Sequence, residues 1–274
     1  MKEQNIKECH GFVVLLDALG MKERMRFEEK NAKEMILDWE YLLSKSEESK
    51  KDFSCSLKKD ILVKGVPTGI LFTDESGSEK QKIGFSNIIV RGFSDTLVLI
   101  LETKHSSAID IASLAVLHAY LAKIFLYALD RKFMLRGCVS FGEIAYTDNF
   151  VAGKAMNDAA AWFEQLDMIG VMLTPHVSNL VKSDINKIKN LWIEYQDTPL
   201  KKGKALVHLL NWAFYRDFLP PSIGSLEKLV MSILCDNNIL PSVLSKYENT
   251  YKFYEHIKEI IIDFKEALES DKKS

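Results

Sequence analysis

The chain has 274 residues, enough for one large domain or for a domain with a sizeable extension. With 47% hydrophobic and 27% charged residues it is ordinary globular material that can fill a core. A formal net charge of −2 gives no global pull toward nucleic acid or a membrane surface, so any phosphate binding has to come from a local site. The four cysteines (Cys9, Cys55, Cys138, Cys235) are far apart and form no CxxC pair. That argues against zinc and dithiol sites and for a reducing cytosol. The opening MKEQNIKECH has no signal-type apolar region, and the most apolar long segment, Ile109 to Leu129, contains Asp110, His118 and Lys123. It reads as a core helix, and the protein is expected to be cytoplasmic, with neither nucleic acid nor membrane as partner.

Phe12 to Leu16 is a continuous apolar run of strand length, the pattern of a strand covered on both faces. Lys22 to Lys45 shows helical spacing, and the polar Ser46 to Lys59 reads as a loop or frayed end. Asp60 to Phe72 has room for a short strand, and Thr73 to Lys82 reads as a connector. Ile88 to Val90 and Thr96 to Leu101 flank Arg91-Gly92-Phe93-Ser94-Asp95, a hairpin signal. Ser106 to Arg131 is a long apolar helix, Phe133 to Ile144 a strand, and Tyr146 to Phe150 a turn. Gly153 to Leu166 has helix-former composition, and Ile169 to Leu173 is a short strand. Val177 to Lys189 reads as helix, Leu191 to Tyr195 and Ala205 to Trp212 as paired strands, and Ser225 to Lys272 as helix broken at Pro241. The order β–α–ββ–α–β–α–β predicts an α+β fold, an antiparallel sheet with helices packed on it and a helical C-terminal extension. The expected division is 1–215 for the catalytic-type domain and 216–274 for the extension.

Asp17 is the residue that the apolar first strand does not explain. A buried carboxylate without a partner costs several kcal/mol or neutralises, so a cation is expected opposite it. Asp95, at the turn of the hairpin, reaches the same sheet edge if the hairpin lies beside the first strand. Two carboxylates there suit Mg²⁺ or Mn²⁺, ions that usually also hold phosphates. The backbone of Leu19, Gly20 and Met21 leads into a helix N-terminus, where free N–H groups favour phosphate. Plainer readings stay open: Asp17 as a helix cap, Asp95 as a turn residue, Arg136 paired with Glu143 or another carboxylate, and Asn157 as an exposed helix residue. His105, His118, His176 and His208 show no ligand spacing.

The order of these motifs resembles that of the class III nucleotidyl cyclases. LLDALGM matches their first-strand aspartate, RGFSDTLVLI their hairpin aspartate, LRGCVSFG their RIGIHTG-like strand, and GKAMNDAAAWFE their GxxVNxAARLE helix. The likeness covers Gly11 to Leu173. Within that family the FSDT hairpin, the RGxxSxGE strand and a C-terminal strand ending in Asn211-Trp212 look most like the pyrimidine cyclases of bacterial anti-phage Pycsar systems. The resemblance implies a ferredoxin-like core and conversion of UTP or CTP to the 3′,5′-cyclic monophosphate by two divalent metal ions, Mn²⁺ or Mg²⁺. It also implies a head-to-tail homodimer with active sites at the interface, and a separate effector that senses the cyclic nucleotide.

By the same resemblance, Asp17 and Asp95 are the metal ligands, Ala18 adds its carbonyl, and Asn157 orients the ribose. Leu19, Gly20 and Met21 lie along the phosphates. Arg91 and Phe150 stand where adenylate-type enzymes read the base. Phe150 cannot accept a hydrogen bond from an adenine amino group, which favours a smaller pyrimidine. The family's transition-state arginine is replaced by Ala161, so Arg136, Lys154 or Arg91 is expected to supply that charge. Two rivals follow. One is a degenerate cyclase fold that binds nucleotide or a partner without turnover. The other is a polymerase-like palm, which would favour a basic groove that the near-neutral charge does not support.

Overall fold

The computed structural model describes residues 6–19, 32–56, 62–63, 66–67, 70–73, 79–83, 87–93, 96–103, 111–131, 133–213, 228, 231 and 241–271. Strand β1 (Lys7–Ala18) is followed by helix α1 (Ala32–Ser56) and four short strands, β2 (Leu62–Val63), β3 (Val66–Pro67), β4 (Ile70–Thr73) and β5 (Glu79–Ile83). The hairpin β6 (Ile88–Phe93) and β7 (Thr96–Thr103) leads to helix α2 (Ile111–Asp130) and the long strand β8 (Leu135–Tyr146). Then come β9 (Val151–Ala152), α3 (Lys154–Trp162), β10 (Gly170–Leu173), the short α4 (Pro175–Leu180), β11 (Trp192–Pro199), β12 (Lys204–Leu210) and α5 (Pro241–Asp271).

The main sheet runs β11-β12-β10-β8-β1-β7-β6, with β9 added to β8. Its β8-β1-β7-β6 portion is wholly antiparallel. In chain order that is the fourth, first, third and second strand of a β–α–β–β–α–β unit, the ferredoxin-like arrangement that the element order predicts. Strand β10 joins β8 in parallel after the α3 crossover, and the β11–β12 hairpin extends that side.

Phe12 to Leu16 of β1 are at most 3% exposed, so the central strand is covered on both faces, as its unbroken apolar run requires. Helix α2 contains a stretch long and apolar enough for a membrane span, but 83% of it is buried inside the fold. Trp212 stacks between Phe125 of α2 (5.4 Å) and Tyr254 of α5 (5.9 Å), so α5 shares the core with the sheet domain.

Three expectations are corrected. The segment read as a loop from Ser46 is helical as far as Ser56; it lacks Gly and Pro, and Lys45 pairs with Glu48 at 2.6 Å one turn on. Val177 to Lys189 is not one helix but the short α4 followed by a 3₁₀ turn, Ile185–Ile188. The strand β5 also begins inside the expected connector.

His118 is fully buried against the Trp192 ring at 5.6 Å, near the backbone of Leu191 and Asn211. Burial drives its pKa down to about 3, against weaker opposition from those backbone groups. His208 shifts the same way, chiefly through burial, with the Glu194 carboxylate opposing. A buried neutral imidazole binds fewer protons than the unfolded chain, so stability falls as pH drops below about 6.5. Urea titrations between pH 7 and pH 5 should show stability declining by on the order of 1 kcal/mol per pH unit at the acid end. The slope should flatten in His118→Leu. An equally steep decline in that variant would assign the acid sensitivity elsewhere.

Candidate active site

Asp17 lies at the end of β1, opposite Arg136 of β8 on one side and Thr96 of β7 on the other. Gly170 of β10 is paired with Arg136, so Thr96, Asp17, Arg136 and Gly170 form one row across four strands. Arg136 Nη2 donates to Asp17 Oδ2 at 2.8 Å and Nη1 donates to the Glu164 carbonyl at 3.0 Å. The two side chains are 7% and 15% exposed. The cation that Asp17 demands is therefore a guanidinium held on two nitrogens. The short Ala18-Leu19 step is fixed by the Leu19 N–H, which donates to the Met134 carbonyl at 2.7 Å.

Side chains alternate across a strand, so Arg136, Cys138 and Ser140 point to the same sheet face as Asp17. Helix α3 sits on that face. Cys138 Sγ donates to the Ala159 carbonyl at 3.3 Å, and burial pushes this thiol well above its usual range. Asp158 Oδ2 accepts from Ser140 Oγ and from Thr174 Oγ1, both at 2.7 Å. Both hydroxyl residues are fully buried, and Thr174 also caps α4 by accepting from the Val177 N–H. Gly153 starts α3 at φ +121, and a Cβ there would meet the Glu143 carbonyl at 2.4 Å, so only glycine allows this approach. Asn157, next to Asp158, is exposed on α3.

A second cluster lies toward the other end of β8. Lys154 pairs with Glu143 at 3.0 Å, both well exposed. Arg91 reaches Asp148 at 3.8 Å and lies over the Tyr146 ring, 5.9 Å from its centroid. Lys7 sits over the same ring at 5.6 Å and pairs with Glu102 at 2.6 Å, and the Tyr146 hydroxyl donates to Glu102. Burial raises the Glu102 pKa, but the bonds from Lys7 and Tyr146 outweigh it and hold the carboxyl below its ordinary range. Phe150, two residues beyond Asp148, is 71% exposed.

The predicted residues thus fall into two groups. Asp17, Ala18, Leu19 and Arg136 meet at the start of β8; Lys154 reaches Glu143 farther along it and the Arg91 side chain reaches Asp148, near Phe150, although Arg91 itself is in the row of Val98, Leu15 and Cys138, two residues from that of Asp17. Arg136 and Glu143 are seven positions apart along β8, roughly 23 Å at the usual strand rise. Gly20, Met21 and Asp95 lie outside the described residues, although Thr96, which follows Asp95, is opposite Asp17. Sequence reasoning missed Asp158, masked by an ordinary polar helix, and the Glu164 carbonyl, which has no side-chain signature.

A hard divalent ion takes oxygen ligands, and the Asp17 carboxylate is a donor of that kind. Among the described residues no group of three or more His, Cys, Asp or Glu side chains is placed to hold a metal. Arg136 also already offsets the Asp17 charge. The site therefore fits such an ion in donor chemistry only with Asp95 as a further ligand.

No protein-family model matches the chain, and no curated protein matches it. Solved structures similar to it include the catalytic core of a rhodopsin-guanylyl cyclase with converted specificity in complex with ATPαS, at 11% identity over 75% of this chain and 97% of that one, TM-score 0.44. The adenylyl cyclase CyaB from P. aeruginosa is similar at 11% identity over 75% and 94%, TM-score 0.41. An adenylate/guanylate cyclase/hydrolase from Silicibacter pomeroyi is similar at 12% identity over 75% and 96%, TM-score 0.39.

Removing one partner of a buried ion pair leaves an uncompensated charge. Arg136→Met should lower unfolding stability by about 3 kcal/mol, and Asp17→Leu with Arg136→Met should lose less than the sum of the two single changes. Urea unfolding of the four proteins checks this, and strict additivity would show that the pair is not coupled.

Proposed function

We propose that the chain is a nucleotidyl cyclase that converts UTP or CTP to the 3′,5′-cyclic monophosphate and pyrophosphate, working in the cytoplasm as a signal generator in anti-phage defence. The order of its four motifs supports this reading, as does the ferredoxin-like unit that puts Asp17 opposite Thr96. The observation that carries it is the placement of α3, with Asn157, on the sheet face to which Asp17 and Arg136 point, docked there by Asp158.

In this reading Asp17, Asp95 and the Ala18 carbonyl would hold Mg²⁺ or Mn²⁺. Such ions supply a lowered pKa for the attacking hydroxyl and charge neutralisation for the leaving pyrophosphate. Arg136 holds the Asp17 carboxylate in place. Lys154 and Arg91 offer cations to the phosphates, Leu19, Gly20 and Met21 their backbone, and Asn157 orients the ribose. Phe150 offers an apolar surface to a small base and no carboxylate for an adenine amino group.

The roughly 23 Å along β8 between Arg136 and Glu143, the partner of Lys154, favours a site completed by a second chain. In a head-to-tail homodimer the Asp17 end of one copy would meet Asn157 and Phe150 of the other. The exposure of Phe150 and Lys154 suits an interface. Product would act on a separate cyclic-nucleotide-sensing effector.

A second reading has its own support. Ala161 is exposed on α3 with no charge to offer, and Arg136 is tied to Asp17 and Glu164. A cyclase fold that binds nucleotide or a partner without turnover would look the same.

Incubation with each of the four NTPs and Mn²⁺, read by mass spectrometry, separates the two. Cyclic UMP or CMP is expected, abolished by Asp17→Ala or Asp95→Ala. Nucleotide binding without product from any NTP would favour the second reading, and product chiefly from ATP would overturn the argument from Phe150. Mixing inactive Asp17→Ala with inactive Asn157→Ala should restore about a quarter of wild-type activity, because mixed dimers retain one intact interface site. No recovery, or a strictly monomeric mass, would remove the shared-site element.

A further inference from the structure

We propose that Asn249 and Thr250 of the C-terminal helix are positioning residues for the Asp17–Arg136 pair, acting through the turn at 163–169; the catalytic meaning of this rests on the cyclase reading. Arg136 is aimed by two acceptors, the Asp17 carboxylate and the Glu164 carbonyl at 3.0 Å. The second is a main-chain atom, so its position is only as well defined as the turn that holds it.

That turn carries a single β-bridge, Leu166 to Leu200, and is tethered from three sides. Helix α3 holds its start, where the Phe163 and Gln165 N–H groups donate to the Ala159 and Trp162 carbonyls, both at 2.9 Å. The β11–β12 hairpin holds its edge, with the Asp167 N–H donating to the Pro199 carbonyl at 2.9 Å and the Lys201 N–H donating to the Gln165 carbonyl at 2.7 Å. Helix α5 holds its end. Asn249 Nδ2 donates to the Asp167 carbonyl at 2.9 Å, Lys246 pairs with the Asp167 carboxylate at 3.4 Å, and the Ile169 N–H donates to Thr250 Oγ1 at 2.8 Å.

The last contact is the critical one. Ile169 and Thr250 are 1% and 6% exposed, so the hydroxyl is what satisfies a buried main-chain donor. The next residue, Gly170, is the β10 partner of Arg136. A shift of the Ile169 amide is therefore passed directly to the strand beside Arg136 and, through Glu164, to one arm of its guanidinium. A planar fork that makes two bonds tolerates little displacement. The C-terminal helix, far from Asp17 in sequence, thus sets how that carboxylate is presented.

The test uses the full chain and the variants Asn249→Ala, Thr250→Val and Thr250→Ser. The Arg136 Nε–Hε signal in a ¹⁵N NMR spectrum, identified by its loss in Arg136→Lys, reports the guanidinium directly. It should shift in Asn249→Ala and Thr250→Val and return in Thr250→Ser, which keeps the hydroxyl. Loss of stability alone, followed by urea unfolding, would not move the signal of the folded protein. An unmoved signal in both variants overturns the proposal. Mn²⁺ affinity, measured by EPR without nucleotide, should weaken about tenfold in the same two variants, the range seen when an outer-shell partner of a metal ligand is lost. Wild-type protein that binds no Mn²⁺, or binds it unchanged in Asp17→Ala, overturns the metal reading of Asp17 and leaves the NMR signal to decide the coupling.

Discussion

A carboxylate at the end of an otherwise apolar central strand sets the terms for the rest of this structure. Asp17 is nearly out of solvent, and its charge is offset by the Arg136 guanidinium at 2.8 Å. The pair fixes register as well as charge. A slip of β1 by one residue against β8 would turn Asp17 to the sheet face opposite Arg136 and separate the two charges. Because Thr96 and Gly170 lie in the same row, the pair also aligns the hairpin on one side with the crossover strand on the other. The Asp158 network continues this along β8, binding α3 and α4 to the same sheet through two buried hydroxyls.

Much of the fold was legible because it is written in side-chain pattern. The apolar run of β1, the hairpin around Gly92 and the apolar α2 each follow from periodicity and turn residues. Their order already implies the β8-β1-β7-β6 arrangement. The partner of Asp17 was only half legible: Arg136 was visible as a charge in a strand, but its choice between Asp17, Glu143 and a phosphate depends on register, which one sequence does not state. Contacts made by main-chain atoms, such as the Glu164 carbonyl and the Ile169 amide, leave no trace in residue type. Thr250 and Asn249 were illegible for a further reason, since they act across some 80 positions of chain. The helical continuation to Ser56 was hidden by composition, because a Lys, Ser and Glu run reads equally as loop or as solvated helix.

The spread of the candidate residues along β8 constrains function more than any single one does. The Asp17–Arg136 pair is at one end of β8, whereas the exposed Lys154 reaches Glu143 and the partly buried Arg91 side chain reaches Asp148 and the Tyr146 ring. The exposed end has the features of an unfinished surface: Phe150 is largely solvated, and Lys154 and Glu143 form a pair open to water.

The same geometry bears on the proposed cyclase reading, in which Ala161 stands where an arginine is expected. Arg136 is a poor replacement, because leaving Asp17 would strand a buried carboxylate at a cost of about 3 kcal/mol or more. Lys154 and Arg91 are better placed. Their partners are the half-exposed Glu143 and the fully exposed Asp148, the latter at 3.8 Å. Pairs of that kind contribute about 0–1 kcal/mol. A polyphosphate, with several charges and many acceptor oxygens, can take over such cations at little loss to the fold. In the proposed cyclase reading, energetics favours the loosely held cations beside Tyr146 and α3 for the phosphates and leaves Arg136 to the carboxylate that it already holds.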